Sequence, residues 1–168
     1  QQKNNGCIAI PKVIFLDANN VLNIYPAPEL TNLRKDIILD EMKIVDSKKN
    51  NFNLFESNMF EIKLSLLKND SEKIIFNFCM NKKNNEYSSI IIDKKNSNFE
   101  LNRSKSSMKE GSDLSLIETK ISLKNLVIHM YVDVSVIEIF LNYKRIITSR
   151  IYPNSDSKHL EIFVHLFI

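Results

Sequence analysis

Two acids five residues apart, Asp133 and Glu138 in VIHMYVDVSVIEIF, are the first groups in this sequence whose spacing invites a catalytic reading. A glycosidase acid pair must face one cleft with its carboxyls about 5 to 9.5 Å apart. The stretch alternates apolar and polar residues like a strand. On a strand an odd separation sends two side chains to opposite faces, unless Val134 to Val136 forms a bulge or corner. The spacing argues against a dyad and assigns both acids to structure, paired with Arg150 or Arg145 or satisfying backbone donors at a turn. The histidines argue the same way. His159 and His165 share a face of the last strand and lie roughly 20 Å apart at about 3.3 Å per residue, too far to share a metal. With His129 they read as partly exposed sheet residues. A Ser-His-Asp set would lack the G-x-S-x-G turn that exposes a nucleophile, and the chain has only two glycines, so no phosphate loop can be drawn. Cys7 and Cys79 close no metal-ligand spacing; they could form one disulfide, but free or buried thiols are the simpler reading. The residues call for no cofactor and no metal.

The elements that would hold these groups are strands. In MFEIKLSLLK, Phe60, Ile62, Leu64 and Leu66 share one face and Glu61, Lys63 and Ser65 the other. KIIFNFCM repeats the pattern with Ile74, Phe76, Phe78 and Met80, and SLIETKIS with Ile117, Thr119 and Ile121. IAIPKVIFL, SSIIID, NFELN, the Asp133 stretch and KHLEIFVHLFI complete the set, separated by LDANN, KNDSEK, NKKNNE, DKKNSN, LNYKR and PNSDS. Eight to ten short strands at roughly ten-residue spacing predict an all-β, antiparallel two-sheet β-sandwich. The one helical hint is a single ordered turn in PAPELTNLR, with Pro28 at a first-turn position. With glycine so scarce, asparagines should occupy the turn positions that glycine fills elsewhere.

Composition bounds the function class. The chain has 168 residues, 43% hydrophobic and 26% charged, enough for one compact unit with a real core. A net charge of +3, spread without a basic block, argues against nucleic acid, and no apolar run is long enough to span a bilayer as a helix. The N-x-S/T matches at Asn69 and Asn102 are what so Asn-rich a chain gives by chance. The start QQKNN, with neither a methionine nor a signal-like core, suggests a processed product or a piece of something longer.

VDVSVIEIFLNYKRIITSRIYP resembles the signature near the end of glycoside hydrolase family 32, the invertases, inulinases and levanases. That signature runs close to V-D-x-S-x-x-E-V-F, then a hairpin and T-S-R-I-Y-P. Asp133, Ser135, Glu138, Phe140, Thr148, Ser149, Arg150, Tyr152 and Pro153 fall in step with it. Upstream, GCIAIPKVIFLDANNVLNIYPAPELTNLR is similar to the family's junction segment, with Pro26, Pro28, Glu29, Leu30, Leu33 and Arg34 matching P-x-P-E-L-x-x-L-R. NFELNRSKSS matches L-D-R-S-x-S more weakly. Val134 and Val136 replace the usual Arg and Ser, and the hairpin glycine is missing from LNYKR, leaving Asn142 to take the positive-φ position.

The resemblance implies a C-terminal β-sandwich, residues 37–168, entered through a junction strand and linker, residues 1–36. The family's catalytic acids lie in an N-terminal β-propeller, in N-D-P-N, R-D-P and E-C motifs that this chain lacks; LDANN around Asp17 echoes only the first. What the resemblance implies is a non-catalytic module of a retaining β-fructofuranosidase-like enzyme that braces the propeller and provides a homodimer contact, in an extracellular or vacuolar-type compartment. Its named residues, Pro28, Glu29, Arg34, Asp133, Ser135, Glu138, Phe140, Thr148, Ser149, Arg150 and Pro153, are structural in this reading. The alternative is a free-standing lectin-like carbohydrate-binding sandwich, disfavoured because the chain has no Trp to stack on sugar rings. The surface that docks on a partner is expected on the second faces of KIIFNFCM, SSIIID and the last strand, at Ile75, Ile90 or Ile91, Phe163 and Phe167.

Overall fold

A computed structural model describes residues 7–35, 51–66, 72–107, 116–122 and 125–165. Its strands run in chain order as β1 (Lys12–Leu16), β2 (Leu22–Pro26), β3 (Asn51–Glu56), β4 (Met59–Leu66), β5 (Lys73–Asn81) and β6 (Glu86–Asp93). They continue as β7 (Asn98–Asn102), β8 (Ile117–Lys120), β9 (Leu126–Asp133), β10 (Val136–Leu141), β11 (Arg145–Arg150) and β12 (His159–His165). A single 3₁₀ turn, Pro28–Leu33, follows β2 and is the ordered turn that PAPELTNLR predicted. Three sheets form: β11-β10-β9-β4, β3-β12-β5-β6-β7-β8, and the isolated β1-β2 ribbon. All pairings are antiparallel.

The core lies between the four- and six-stranded sheets. Ile128, Met130, Ile137 and Ile139 from one meet Phe76, Phe78, Ile90, Ile92, Phe99 and Leu101 from the other in one buried cluster. Phe60 of β4 meets Phe78 of β5 edge-on across the gap, with ring centroids 6.3 Å apart. The period-two alternation predicted this for β4 and β5. It breaks at Cys79, where φ is 49° and the register shifts between Phe78 and Asn81, a bulge that buries Cys79 beside Phe78. NFNLFE and LNIYP, which are not among the strands expected from the alternation, are β3 and β2.

Asparagine does take glycine's turn role. Of the eight non-glycine residues with positive φ among the described residues, Asn20, Asn85, Asn125 and Asn142 are four. Asn142 sits in the β10–β11 turn as expected, and its side chain accepts the Val127 amide at 2.7 Å. The β9–β10 turn is tighter and less comfortable. Asp133 pairs with Val136, so only Val134 and Ser135 make the connection, and Val134 adopts φ 49°.

That turn is the corner at Val134 to Val136 that would bring the two acids to one face. The stretch is a hairpin, and Glu138 is paired with Tyr131, two residues before Asp133. Asp133 and Glu138 therefore project from the same face of the four-stranded sheet, the face turned away from the core. Among the described residues the exposed apolar surface lies mainly outside the expected face. Ile90 is buried in the core, Ile75 and Ile91 are half-buried, and Phe163 and Phe167 lie outside the described side chains. Instead, nine of the thirteen large apolar residues exposed among the described residues fall between Ile8 and Leu33.

Candidate functional site: the seam between the ribbon and the four-stranded sheet

The outer face of β11-β10-β9-β4 would be expected to be solvated, yet Glu138, Phe140 and His129 on it are buried. The β1-β2 ribbon and the linker after it lie across them, held at two polar anchors. At the first, Glu138 is 1% exposed and its Oε2 lies 2.6 Å from Lys12 Nζ. Its Oε1 accepts the Ile10 amide at 2.6 Å. The carboxylate is thus met by a cation and a backbone donor from the segment that begins the ribbon. A desolvated carboxylate requires such partners. This corrects the expected pairing with Arg150 or Arg145. Arg150 instead stacks over the Tyr152 ring, 5.0 Å from its centroid, and Arg145 donates to Thr119 Oγ1 and the Lys120 carbonyl, both at 2.6 Å.

The second anchor is built on Glu61 of β4. Arg34, just after the 3₁₀ turn, donates from Nε to Glu61 Oε2 at 2.6 Å and from Nη2 to Oε1 at 2.5 Å, a fork-to-fork pair. Tyr131 donates its hydroxyl to Glu61 Oε1 at 3.0 Å, and His129 Nε2 lies 2.7 Å from the same oxygen. Burial alone would raise the Glu61 pKa, but hydrogen bonds from Arg34, His129 and Tyr131 hold it down at about 2. The reciprocal effects are a raised Arg34 and, through burial first and then the Glu61 bond, a raised Tyr131.

His129 carries this anchor on to the ribbon. Its Nδ1 is 3.2 Å from the Tyr143 hydroxyl, and the Tyr143 ring stacks on Tyr25 of β2 with centroids 4.1 Å apart. The Tyr143 carbonyl in turn accepts the Ile24 amide of β2 at 2.7 Å. His129 is 7% exposed, a correction to the partly exposed position expected for it.

The seam's carboxylates are each neutralised by a committed cation. Among the described residues no three His, Cys, Asp or Glu side chains are placed to share a metal ion. Asp17, the echo of a nucleophile, accepts the Asn19 and Val21 amides of its own turn, and these bonds lower its pKa.

The sequence from 29 to 165 matches the family model described as glycosyl hydrolases family 32 C terminal. The chain belongs to this family. No curated protein sequence matches it, but solved structures of family 32 enzymes share its fold. An exo-inulinase from Aspergillus awamori superposes with a TM-score of 0.68 at 17% identity, over 93% of this chain and 32% of that one. A β-fructofuranosidase from Bombyx mori gives 0.64 at 14% identity, over 95% and 32%, and a fructofuranosidase from Schwanniomyces occidentalis 0.64 at 15%, over 94% and 37%. This chain therefore spans about a third of the length of each.

The residues that carry the resemblance occupy definite places in the fold. Pro28 opens the 3₁₀ turn with exposed Glu29 beside it, and Arg34 reaches Glu61. Glu138 holds the ribbon, and Phe140, fully buried, lies 6.2 Å from the His129 ring and 6.3 Å from the Tyr131 ring. Ser135 accepts the Ile151 amide through its carbonyl at 3.0 Å, and the Arg150 carbonyl accepts Arg103 Nη1 at 3.1 Å. Asp133 and Thr148 are exposed, while Ser149 and Pro153 are half-buried. The signature therefore divides between the seam and the turns beside it. Lys12, Glu61, His129, Tyr131 and Tyr143 complete the seam and carry no signal in the sequence, because their partners lie far off in the chain, as with Glu61 and His129, 68 residues apart.

Proposed function

We propose that the chain is the non-catalytic C-terminal β-sandwich module of a β-fructofuranosidase-like enzyme, and that its β1-β2 ribbon is the surface by which it braces the catalytic propeller. The observation that carries this is the ribbon's double-sided apolar exposure. Val13, Ile14, Phe15, Leu16 and Leu22 are between 44% and 62% exposed. Alternation would bury one face of a ribbon and solvate the other, so apolar residues on both predict a partner on both sides.

The backbone supports the same reading. Ala27 donates to the Pro11 carbonyl and Asp17 to that of Val21, and this register turns the amides of Val13 and Phe15 toward β2. The backbone groups of Lys12, Ile14 and Leu16 therefore face the edge of β1 that no described strand pairs, where a further strand can add. In this reading residues 1–36 are the junction and 37–168 the module, and the ribbon extends a sheet of the preceding domain. A second copy of the chain would meet the same ribbon when that domain is missing.

The test has two arms. The purified chain should release no fructose from sucrose, inulin or levan, and it should bind an apolar dye or self-associate in sedimentation. Ile14→Ser/Leu16→Ser should abolish that behaviour. Turnover lost on changing Asp17, Asp133 or Glu138 would overturn the non-catalytic reading. Micromolar binding of fructans by titration calorimetry would favour the lectin-like one. A clean monomer without dye binding would refute the docking surface.

A further inference from the structure

The second anchor contains the one kind of side chain that changes charge near neutral pH. We propose that His129 is a proton-operated latch: the neutral ring locks the β1-β2 ribbon against the β10–β11 turn, and protonation at Nδ1 loosens it. The latch lies wholly within this chain and does not depend on what the ribbon's exposed faces meet.

The tautomer follows from the partners. Glu61 is acceptor-only, so the nitrogen facing it, Nε2, must carry the hydrogen. Nδ1 then holds a lone pair and accepts the Tyr143 hydroxyl. Through that bond His129 fixes Tyr143, whose ring stacks on Tyr25 and whose carbonyl binds the Ile24 amide. A proton on Nδ1 replaces the lone pair with a donor, so the Tyr143 O–H must swing out and the contact persists only with its direction reversed, now beside a buried positive charge.

The new charge has no counter-ion to itself. The groups facing the ring among the described residues are Glu61 and Lys63 from β4, Tyr131 from β9, Phe140 from β10, Tyr143 from the β10–β11 turn and Arg34 from the linker. Glu61 is the sole anion, and Arg34 already holds both its oxygens. Lys63 adds a second cation, its ammonium 5.8 Å from the Tyr143 ring centroid. Burial accordingly lowers the His129 pKa, against the opposing pull of Glu61. A histidine depressed in the closed state stabilises closure fully above its free value of about 6.5, and that contribution is lost as pH falls from there toward the depressed value. Glu61, held at about 2, stays ionised throughout.

Hydrogen exchange by NMR on the chain between pH 7.5 and 5 tests the latch. After correction for intrinsic exchange, protection of the Ile24 amide should fall as pH drops below the free histidine value, by up to about tenfold per pH unit. A core amide such as Met130 of β9 should not follow. In His129→Gln the Ile24 profile should be flat. Should that variant fail to fold, the wild-type ring nitrogens serve: they should report the Nε2–H tautomer at pH 7.5 and titrate together with Ile24 protection. A pH-independent Ile24 amide, a pH response that survives in His129→Gln, or a ring titration out of step with exchange would overturn the latch.

Discussion

Replacing Lys12 by Met should cost this domain far more than replacing its partner Glu138 by Gln, although both break the same 2.6 Å ion pair. The asymmetry comes from burial. The Glu138 side chain is 1% exposed and that of Lys12 is 18% exposed. Lys12→Met keeps most of the stem's packing but leaves a buried carboxylate with the Ile10 amide as its remaining partner, a loss of about 3 to 5 kcal/mol. Glu138→Gln keeps an oxygen for the Ile10 amide and lets Lys12 turn to water. It gives up one charge-assisted hydrogen bond, about 1.5 to 3 kcal/mol. In the double variant no buried charge is stranded, so the losses should fall short of additive by roughly 0.5 to 3 kcal/mol. Urea denaturation followed by circular dichroism resolves these differences, because at a slope of about 1 to 3 kcal/mol per molar a 3 kcal/mol loss moves the midpoint by roughly 1 to 3 M. If Lys12→Met costs no more than Glu138→Gln, or if the two losses simply add, Glu138 is not the desolvated anchor of the ribbon.

Two further expectations concern single residues. Cys79 is buried and its thiol pushed up to about 12 by burial and the nearby Glu86 carboxylate, whereas Cys7 is exposed; an alkylating reagent at pH 8 should label Cys7 alone in the native chain and both after denaturation, and native labelling of both would contradict the bulge. Val134, a β-branched residue at φ 49°, carries strain of about 1 to 2 kcal/mol, so Val134→Gly should raise the melting temperature despite glycine's greater unfolded-state entropy. A lower melting temperature would show that the side chain contributes more than its strain costs.

The strand content of this protein is legible because a half-buried sheet writes its two faces into alternate residues. Phe60, Ile62, Leu64 and Leu66 on β4 and Phe76 and Phe78 on β5 could be assigned inward from sequence alone, and the structure buries or half-buries each of them. The same rule fails locally where the chain departs from ideal pleat. Cys79 is buried beside Phe78 because a bulge resets the alternation, and no local sequence feature announces it. The two acids show a related departure. Treated as one strand, Asp133 and Glu138 point apart, but the Val134–Ser135 turn folds them to one side, and a valine at positive φ is the last residue a turn reading would choose.

Sequence by itself determined the fold class, the family signature and the use of Asn142 at a turn, because alternation, turn chemistry and motif spacing are local properties of the chain. Only the tertiary structure decided what the acids of the seam do. Glu138 meets Lys12 and Glu61 meets Arg34 and His129 because sheet formation turns one face outward and the ribbon and linker are laid over it. Pairings across 27 and 68 residues, and between positions 12 and 138, are set by register and packing, and an ion pair leaves no periodic trace in the residues between its partners.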